Sequence, residues 1–571
     1  MAAITVPKLR RDHTVAEVRP RRVAEWLRSL PQADARYSAQ QIHQALFAQN
    51  RIRLDQENRL SLMELYCEPV AAAVETMRQS YIGMALPLSA KTQKLVGFIQ
   101  RLLTEMANGY KIVANDMVQD GVSGSTHSDV VMALRRASGL VGELMLTAYE
   151  IYTPPPTGTW RQLHEIYQFA ESNGFLDSKI SDKASSDEGG TTVEQDCLRI
   201  FLLGACSPLG LLPGECRRVH ELLPRWCDDV EFGEIEDLGH PEGRFLVSLR
   251  SDVAPIPLCK VADVKNEPHL RILDTVEAMR MLHKLLRDLE QGNEVSVGNQ
   301  ANGELDSGDT AMVRRVGRLL AGVGTRRHST RTGEASGVSV CIGLNSIHYF
   351  ANGERRFESA KMKSIGEDGN EGEGDIEQSD GDVKDLVCLD PSDPNFGDKV
   401  TDVPEKGEVF VRWQDAGDYR LHSFDVVNES AGGLGLRSGA ATDIQFRVGE
   451  LVAMQYATLD GWHLGVVRWV QQTLDDNLEF GVQMIAPEFR PIAAKSVSTD
   501  ADSFVRALLL SPNAALRQPE SLVLPRGVYR QDQQLTLTVE GEELVIAPGR
   551  LLDRTGSYDQ LLLNSSLSGQ Q

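Results

Sequence analysis

From the N-terminus to about residue 175, apolar side chains recur at steps of three and four. The segments QQIHQALFAQN (40–50), KTQKLVGFIQRLLTEMANGYKIV (91–113) and SDVVMALRRASGLVGELMLTAYEIY (128–152) each lay one apolar stripe along a helix. Such stripes must be buried against one another, so residues 1–182 predict a helical region built as a bundle. Pro154, Pro155 and Pro156 interrupt the pattern, and GTWRQLHEIYQFAES then restarts a helix with Trp160, Leu163, Ile166, Tyr167 and Ala170 toward one side. KASSDEGG (183–190) reads as a linker, and TTVE (191–194) as a capping box opening the helix QDCLRIFLLGA.

Helical spacing continues to about Trp226. DVEFGEI and RFLVSLR then alternate as strands do, ahead of a helix over LRILDTVEAMRMLHKLLRDLEQ. Residues 191–291 therefore predict a mixed helical and small β region, closed by a second linker, GNEVSVGNQANGELDSGD. Farther on, QLTLTVEGEELVIAPG (534–549) marks a short β-rich C-terminal tail over 500–571.

Length and charge narrow the function. A chain of 571 residues exceeds one hydrophobic core. A net charge of −22 argues against binding a nucleic acid polymer, which needs a basic surface. No apolar run is long enough to span a bilayer and the first residues have no signal-peptide core, so a cytoplasmic protein is expected. The eight cysteines form no CxxC pair and no zinc spacing, which favours reduced thiols and no metal.

One stretch runs against the acidic balance. Residues 311–331, AMVRRVGRLLAGVGTRRHSTR, carry Arg314, Arg315, Arg318, Arg326, Arg327 and Arg331 and no acid. A short helix is predicted to about Leu320, then a loop entering the strand VSVCIGL. Arg327 and Arg331, four apart in RHSTR, can fold two guanidinium forks around one flat anion. Farther along, NESAGG (428–433) puts Asn428, Ser430 and Gly433 on a turn between two apolar stretches. RxxxR before a first strand, followed by [D/N]xSxxG between strands, resembles the PilZ domain family, small β-barrels that bind cyclic di-GMP. The resemblance covers about residues 318–490.

It implies an antiparallel β-barrel over 311–490 in a multidomain α+β chain, and a ligand site of Arg326, Arg327, Arg331, Asn428, Ser430 and Gly433. It also implies a receptor, with no cofactor beyond cyclic di-GMP itself. The chemistry suits the ligand, because arginine meets guanine O6 and N7 with two hydrogen bonds and can stack on the ring. RxxxR recurs at 314–318 and 526–530, and the latter precedes NSSLSG (564–569), but only two residues follow that second pair. The pair at 327–331 and 428–433 alone has strands to complete a barrel.

About ninety-six residues separate Arg331 from Asn428. An insertion at about 360–404 accounts for the gap. Its segment 366–398 contains twelve acids and one lysine with few apolar residues, a composition that predicts a disordered acidic loop. Counting from Asp368, Glu373 and Ser379 occupy the glycine and final acid positions of a calcium loop, so that reading fails. Ser430 as a hydrolase nucleophile fails as well, since Asn428 stands where a glycine is needed and no helix pattern follows. Trp413, Trp462 and Trp469 are expected to pack the barrel.

The resulting expectation is a cytoplasmic, non-enzymatic receptor or adaptor whose domain or partner docking changes on binding, with an unidentified protein partner through the helical region. The alternative is a helical scaffold whose barrel no longer binds nucleotide. Replacing residues 366–398 by a short Gly/Ser linker should leave the dissociation constant for cyclic di-GMP unchanged across a salt series if the loop is a spacer. Tighter binding at low salt would instead mark the loop as a tethered competitor for the arginines.

Overall fold

A computed structural model describes residues 4–563 except 11–16, 181–189, 323–336, 358–418, 497–503 and 513–518, most of 291–308, and shorter breaks in loops. The acidic insertion, Trp413 and Cys388 lie outside the described residues.

The helical region contains α1 (Pro20–Ser29), α2 (Ala35–Gln49), α3 (Gln56–Arg78), α4 (Ala90–Asp120), α5 (Gly124–Tyr149) and α6 (Thr159–Asn173). Ser89 starts α4 by accepting a bond from the Thr92 amide at 3.2 Å, and Gly121 ends it with φ 96°, a left-handed conformation that glycine adopts without strain. The apolar stripes of α4 and α5 meet along their length, burying Ile99, Leu102, Met106, Val113, Val130, Leu134 and Met145.

Two more helices, α7 (Val193–Ala205) and α8 (Glu215–Leu222), pack across the 183–190 stretch onto the same core. Phe201 of α7 stacks on Trp160, with ring centroids 6.5 Å apart, and Arg135 holds Asp196 at 2.8 Å. The capping box of α7 forms one residue later than TTVE suggests. Thr192 and Gln195 exchange bonds of 3.1 Å, because Thr191 is taken up by a backbone pairing with Ile180 and by Arg135.

The small β unit is a four-stranded antiparallel sheet of β1 (Glu231–Gly233), β2 (Arg244–Ser248), β3 (Ile256–Pro257) and β4 (Leu270–Asp274), in the order β1-β4-β2-β3. Helix α9 (Val276–Glu290) follows. A two-stranded ladder of β5 (Val295–Ser296) and β6 (Glu304–Leu305) leads to α10 (Thr310–Leu320), the helix that brings the chain to the barrel.

The barrel is closed. Its strands β7 (Gly337–Ile342), β8 (His422–Ser430), β9 (Gly433–Arg437), β10 (Leu451–Tyr456), β11 (His463–Gln472) and β12 (Leu478–Ala486) pair in the order β10-β11-β12-β9-β8-β7, every neighbour antiparallel. Alternate residues fill the interior. Phe424 meets Phe480 edge-on at 5.0 Å, among Val338, Val340, Leu436, Met454 and Val482.

Helix α11 (Gly343–Ala351) leaves β7 and sits between the barrel and the C-terminal strands, where Ile347 packs with Leu451, Leu464, Leu508 and Tyr558. Those strands are more than a tail. The strands β13 (Phe489–Ser496), β14 (Val505–Leu510), β15 (Ser521–Pro525), β16 (Leu535–Val539), β17 (Glu542–Ile546), β18 (Pro548–Arg554) and β19 (Tyr558–Leu563) form one seven-stranded sheet, ordered β17-β16-β13-β14-β15-β19-β18. It has its own core of Leu509, Leu522, Leu535, Leu537 and Leu561.

Two positions give measurable consequences. Glu450, in the turn before β10, is raised to about 7 by burial, against the opposing bond from the Arg447 amide at 2.9 Å. A carboxyl that binds its proton more tightly when folded loses stability as pH rises from about 4.5 to about 7. Glu450→Gln should therefore raise the melting temperature at pH 8, by the equivalent of roughly 1–3 kcal/mol, and leave it unchanged at pH 4. Gly433 lies against β12 so closely that a Cβ would overlap the Val482 carbonyl oxygen. Gly433→Ala should cost about 1–3 kcal/mol in denaturant titration without any ligand, and an unaltered midpoint would refute that packing role.

Candidate functional site

The turn half of the motif is built by strand pairing. A bulge between Val426 and Asn428 in β8 turns Asn428 toward the outer surface, opposite Gly435 of β9. The side-chain amide of Asn428 lies over Gly435, with Nδ2 2.7 Å from where a Cβ would be. Glycine is needed there because the asparagine fills the space. Between them, Glu429 accepts a bond from the Tyr456 hydroxyl at 3.0 Å, which ties the motif to β10, and burial pushes the Tyr456 phenol up. The Ser430 backbone pairs with Gly433 across the turn, and Gly432 is exposed at its tip. Gly433 thus has a packing reason for being glycine, its contact with Val482, that needs no ligand.

The arginine half, Arg326, Arg327 and Arg331, lies outside the described residues, but both flanks are defined. Upstream, the chain leaves α10 through Gly322, where φ is 60° and Phe245 and Pro257 of the small sheet are close by. Downstream, Gly337 opens β7 and pairs with Asp425 of β8, three residues before Asn428. The arginine segment therefore connects directly into the strand beside the one that ends in the turn.

Strand register extends the motif across the barrel. Asn428 pairs with Gly435, Gly435 with Gly481, and Gly481 with Trp469, one row over four strands. Its two central positions have no side chain. A second bulge, between Val467 and Trp469, sends both Arg468 and Trp469 outward. Trp469 was expected to pack the barrel. Instead its ring lies across Gly481 on the outer face, with 36% of the residue exposed, while Trp462 does pack, against Phe350 at 5.9 Å. Beside the row, Arg468 Nε donates to Gln483 at 2.6 Å, and Arg437 pairs with Glu479 through a 2.8 Å bond.

The two glycines thus make room for the Asn428 amide and the Trp469 indole, which lie over them on the outer face. A planar polar group could bond to the amide and stack on the ring. Sequence reasoning missed Arg468 and Trp469. A signal was present: VVRWV places two residues between core valines where strict alternation allows one.

Among the described residues no group of three His, Cys, Asp or Glu could hold a metal ion. No described helix is long and apolar enough to cross a membrane. The buried thiols Cys197, Cys206 and Cys216 are pushed up by desolvation, away from nucleophilic character.

Comparison with known proteins agrees with this architecture. Residues 21–237 match the family described as cyclic-di-GMP receptor FimW, N-terminal domain; 244–491 match its middle PilZ domain; and 492–564 match the FimW C-terminal beta-barrel domain. The chain is 24% identical to the cyclic-di-GMP receptor FimW of Pseudomonas aeruginosa over 563 residues, 96% of this chain and 90% of that protein. No solved structure matches significantly. With a closed six-stranded barrel carrying the N-x-S turn, and three consecutive matches along its length, the chain belongs to the PilZ-domain family of cyclic di-GMP receptors.

Proposed function

We propose that this chain binds cyclic di-GMP on the outer face of its barrel through Arg326, Arg327 and Arg331 together with Asn428, Ser430 and the backbone at Gly433. The observation that carries this reading is the arrangement of the two half-motifs. The chain that carries the arginines follows α10 in sequence and precedes β7, which pairs with β8, whose end bears NESAGG beside the Asn428 amide and the Trp469 ring. Guanine edges and phosphates supply what that set requires: acceptors for guanidinium forks, a planar ring for stacking, and charge to offset the arginines.

The chain acts by binding, without catalysis. Ligand contacts to the arginine segment alter how α10, and the domains packed on it, dock against the barrel and against a protein partner. Such a shift requires only that the two arrangements bind the ligand with different affinity. The reading also places the protein in the cytoplasm, where cyclic di-GMP is made and degraded.

Calorimetric titration of the full chain is the direct test. Arg327→Ala and Arg331→Ala should each weaken binding by about 1–3 kcal/mol, and Arg530→Ala should have no effect. Absence of heat for the unaltered protein would favour the scaffold alternative. An effect of Arg530 without one at Arg331 would transfer the site to the C-terminal motif pair.

A further inference from the structure

The outer face of β11 borders other parts of the chain at Arg468, Trp469 and Gln471. Between it and the helical region lies a cavity of about 970 Å³, at the upper end of the range of small-molecule sites and far beyond a packing defect. Four parts of the chain wall it. Trp160 comes from the helical region, Ile256 and Lys260 from the small sheet, Arg318 from α10, and Arg468 and Trp469 from the barrel.

The walls carry surplus positive charge. Arg315 is matched by Glu215 at 2.8 Å and Arg468 by Asp553 at 3.0 Å. Arg318 has no carboxylate within 4.0 Å among the described residues, only a 3.4 Å bond to the Arg314 carbonyl oxygen. Partial burial, and then the like charge of Arg468, push its guanidinium below its usual value, so a bound anion would relieve it. Asp252, the acid in the lining, is already engaged by the amides of Gly158 at 2.5 Å and Arg161 at 3.1 Å. Apolar surface faces the same space: Val253 and Ile256 are 46% and 39% exposed, unusual for large aliphatic side chains. A ligand with planar rings and negative charge fits all three features.

We propose that cyclic di-GMP bound at the barrel motif extends into this cavity, so that Arg318 and Lys260 meet its phosphate oxygens and Trp469 its guanine face. This rests on the receptor reading above. The ligand then touches the small sheet and α10 as well as the barrel, and the cavity residues discriminate a cyclic dinucleotide from a mononucleotide too short to reach both walls. Arg468 lines the cavity while holding Asp553 of β18, which puts the C-terminal sheet one side chain from the ligand.

Titration of the full chain with cyclic di-GMP tests this through Arg318→Ala, Lys260→Ala and Ile256→Trp, the last filling the cavity. Arg327→Ala serves as the motif control and the exposed Arg280→Ala as the surface control. Arg318, Lys260 and Ile256 are all exposed at the cavity, so the fold tolerates the changes, and unchanged thermal unfolding checks this. Each of the three should weaken binding about tenfold or more, with Arg280→Ala unchanged. If Arg327→Ala weakens binding and the cavity variants bind like the unaltered protein, the ligand stays on the barrel face and the inference falls while the receptor reading stands. If the unaltered protein does not bind, the receptor reading falls, and this inference with it.

Discussion

The arrangement of the domains depends on a cluster of charges at one junction. Asp553 of β18 holds Arg468 of β11 at 3.0 Å, takes a bond from the Tyr558 hydroxyl at 3.2 Å and stands 3.9 Å from Arg315 of α10, which grips Glu215 of α8 at 2.8 Å. One chain of contacts thus joins the C-terminal sheet, the barrel, the connecting helix and the helical region. Burial alone would raise the Asp553 carboxyl, but Arg468 and Arg315 outweigh it and hold it low. Burial prevails at Glu215, which is raised despite Arg315. Partly buried networks of this kind are costly to break at one member, because the partners are left desolvated and unpaired. They set relative position more than total stability.

Two close backbone approaches reinforce that junction. Gly449, with φ 87°, leaves space for Leu212 of the helical region and Thr555 of the C-terminal sheet, and its carbonyl accepts a bond from the Ser557 hydroxyl at 3.2 Å. Gly210 brings the loop after α7 near the Arg468 carbonyl oxygen. The barrel is therefore held on two sides, by helices and by a sheet, while Arg468 and Trp469 of β11 line the cavity between them. A site at such a junction can report occupancy without the barrel changing shape, since a ligand there alters contacts between bodies.

Most elements are legible in local residue patterns. Helical stripes at 91–113 and 128–152 became α4 and α5, because a 3.6-residue period of apolar side chains has no other way to leave water. The stretch 449–486, which resembles the later strands of a PilZ barrel, holds β10 to β12. The half-motif NESAGG was legible as a turn between strands from its residue types alone, and pairing of β8 with β9 puts it there.

Which surfaces meet is settled by contacts distant in the chain. Nothing local in KASSDEGG says that α7 returns to the core of α4–α6, and nothing in QLTLTVEGEELVIAPG says that its strands complete a seven-stranded sheet, because both follow from partners distant in the chain. The bulges at Val427 and Arg468 decide which side chains leave the barrel, and each shifts the alternation by one residue, so Trp469 reads as core by period and lies outside in fact. The row Asn428, Gly435, Gly481 and Trp469 exists only through strand register, which pairs residues up to forty-six apart in sequence. Local periodicity specifies how much surface a segment must bury; the closure of the barrel and the charge cluster at Asp553 specify against whom.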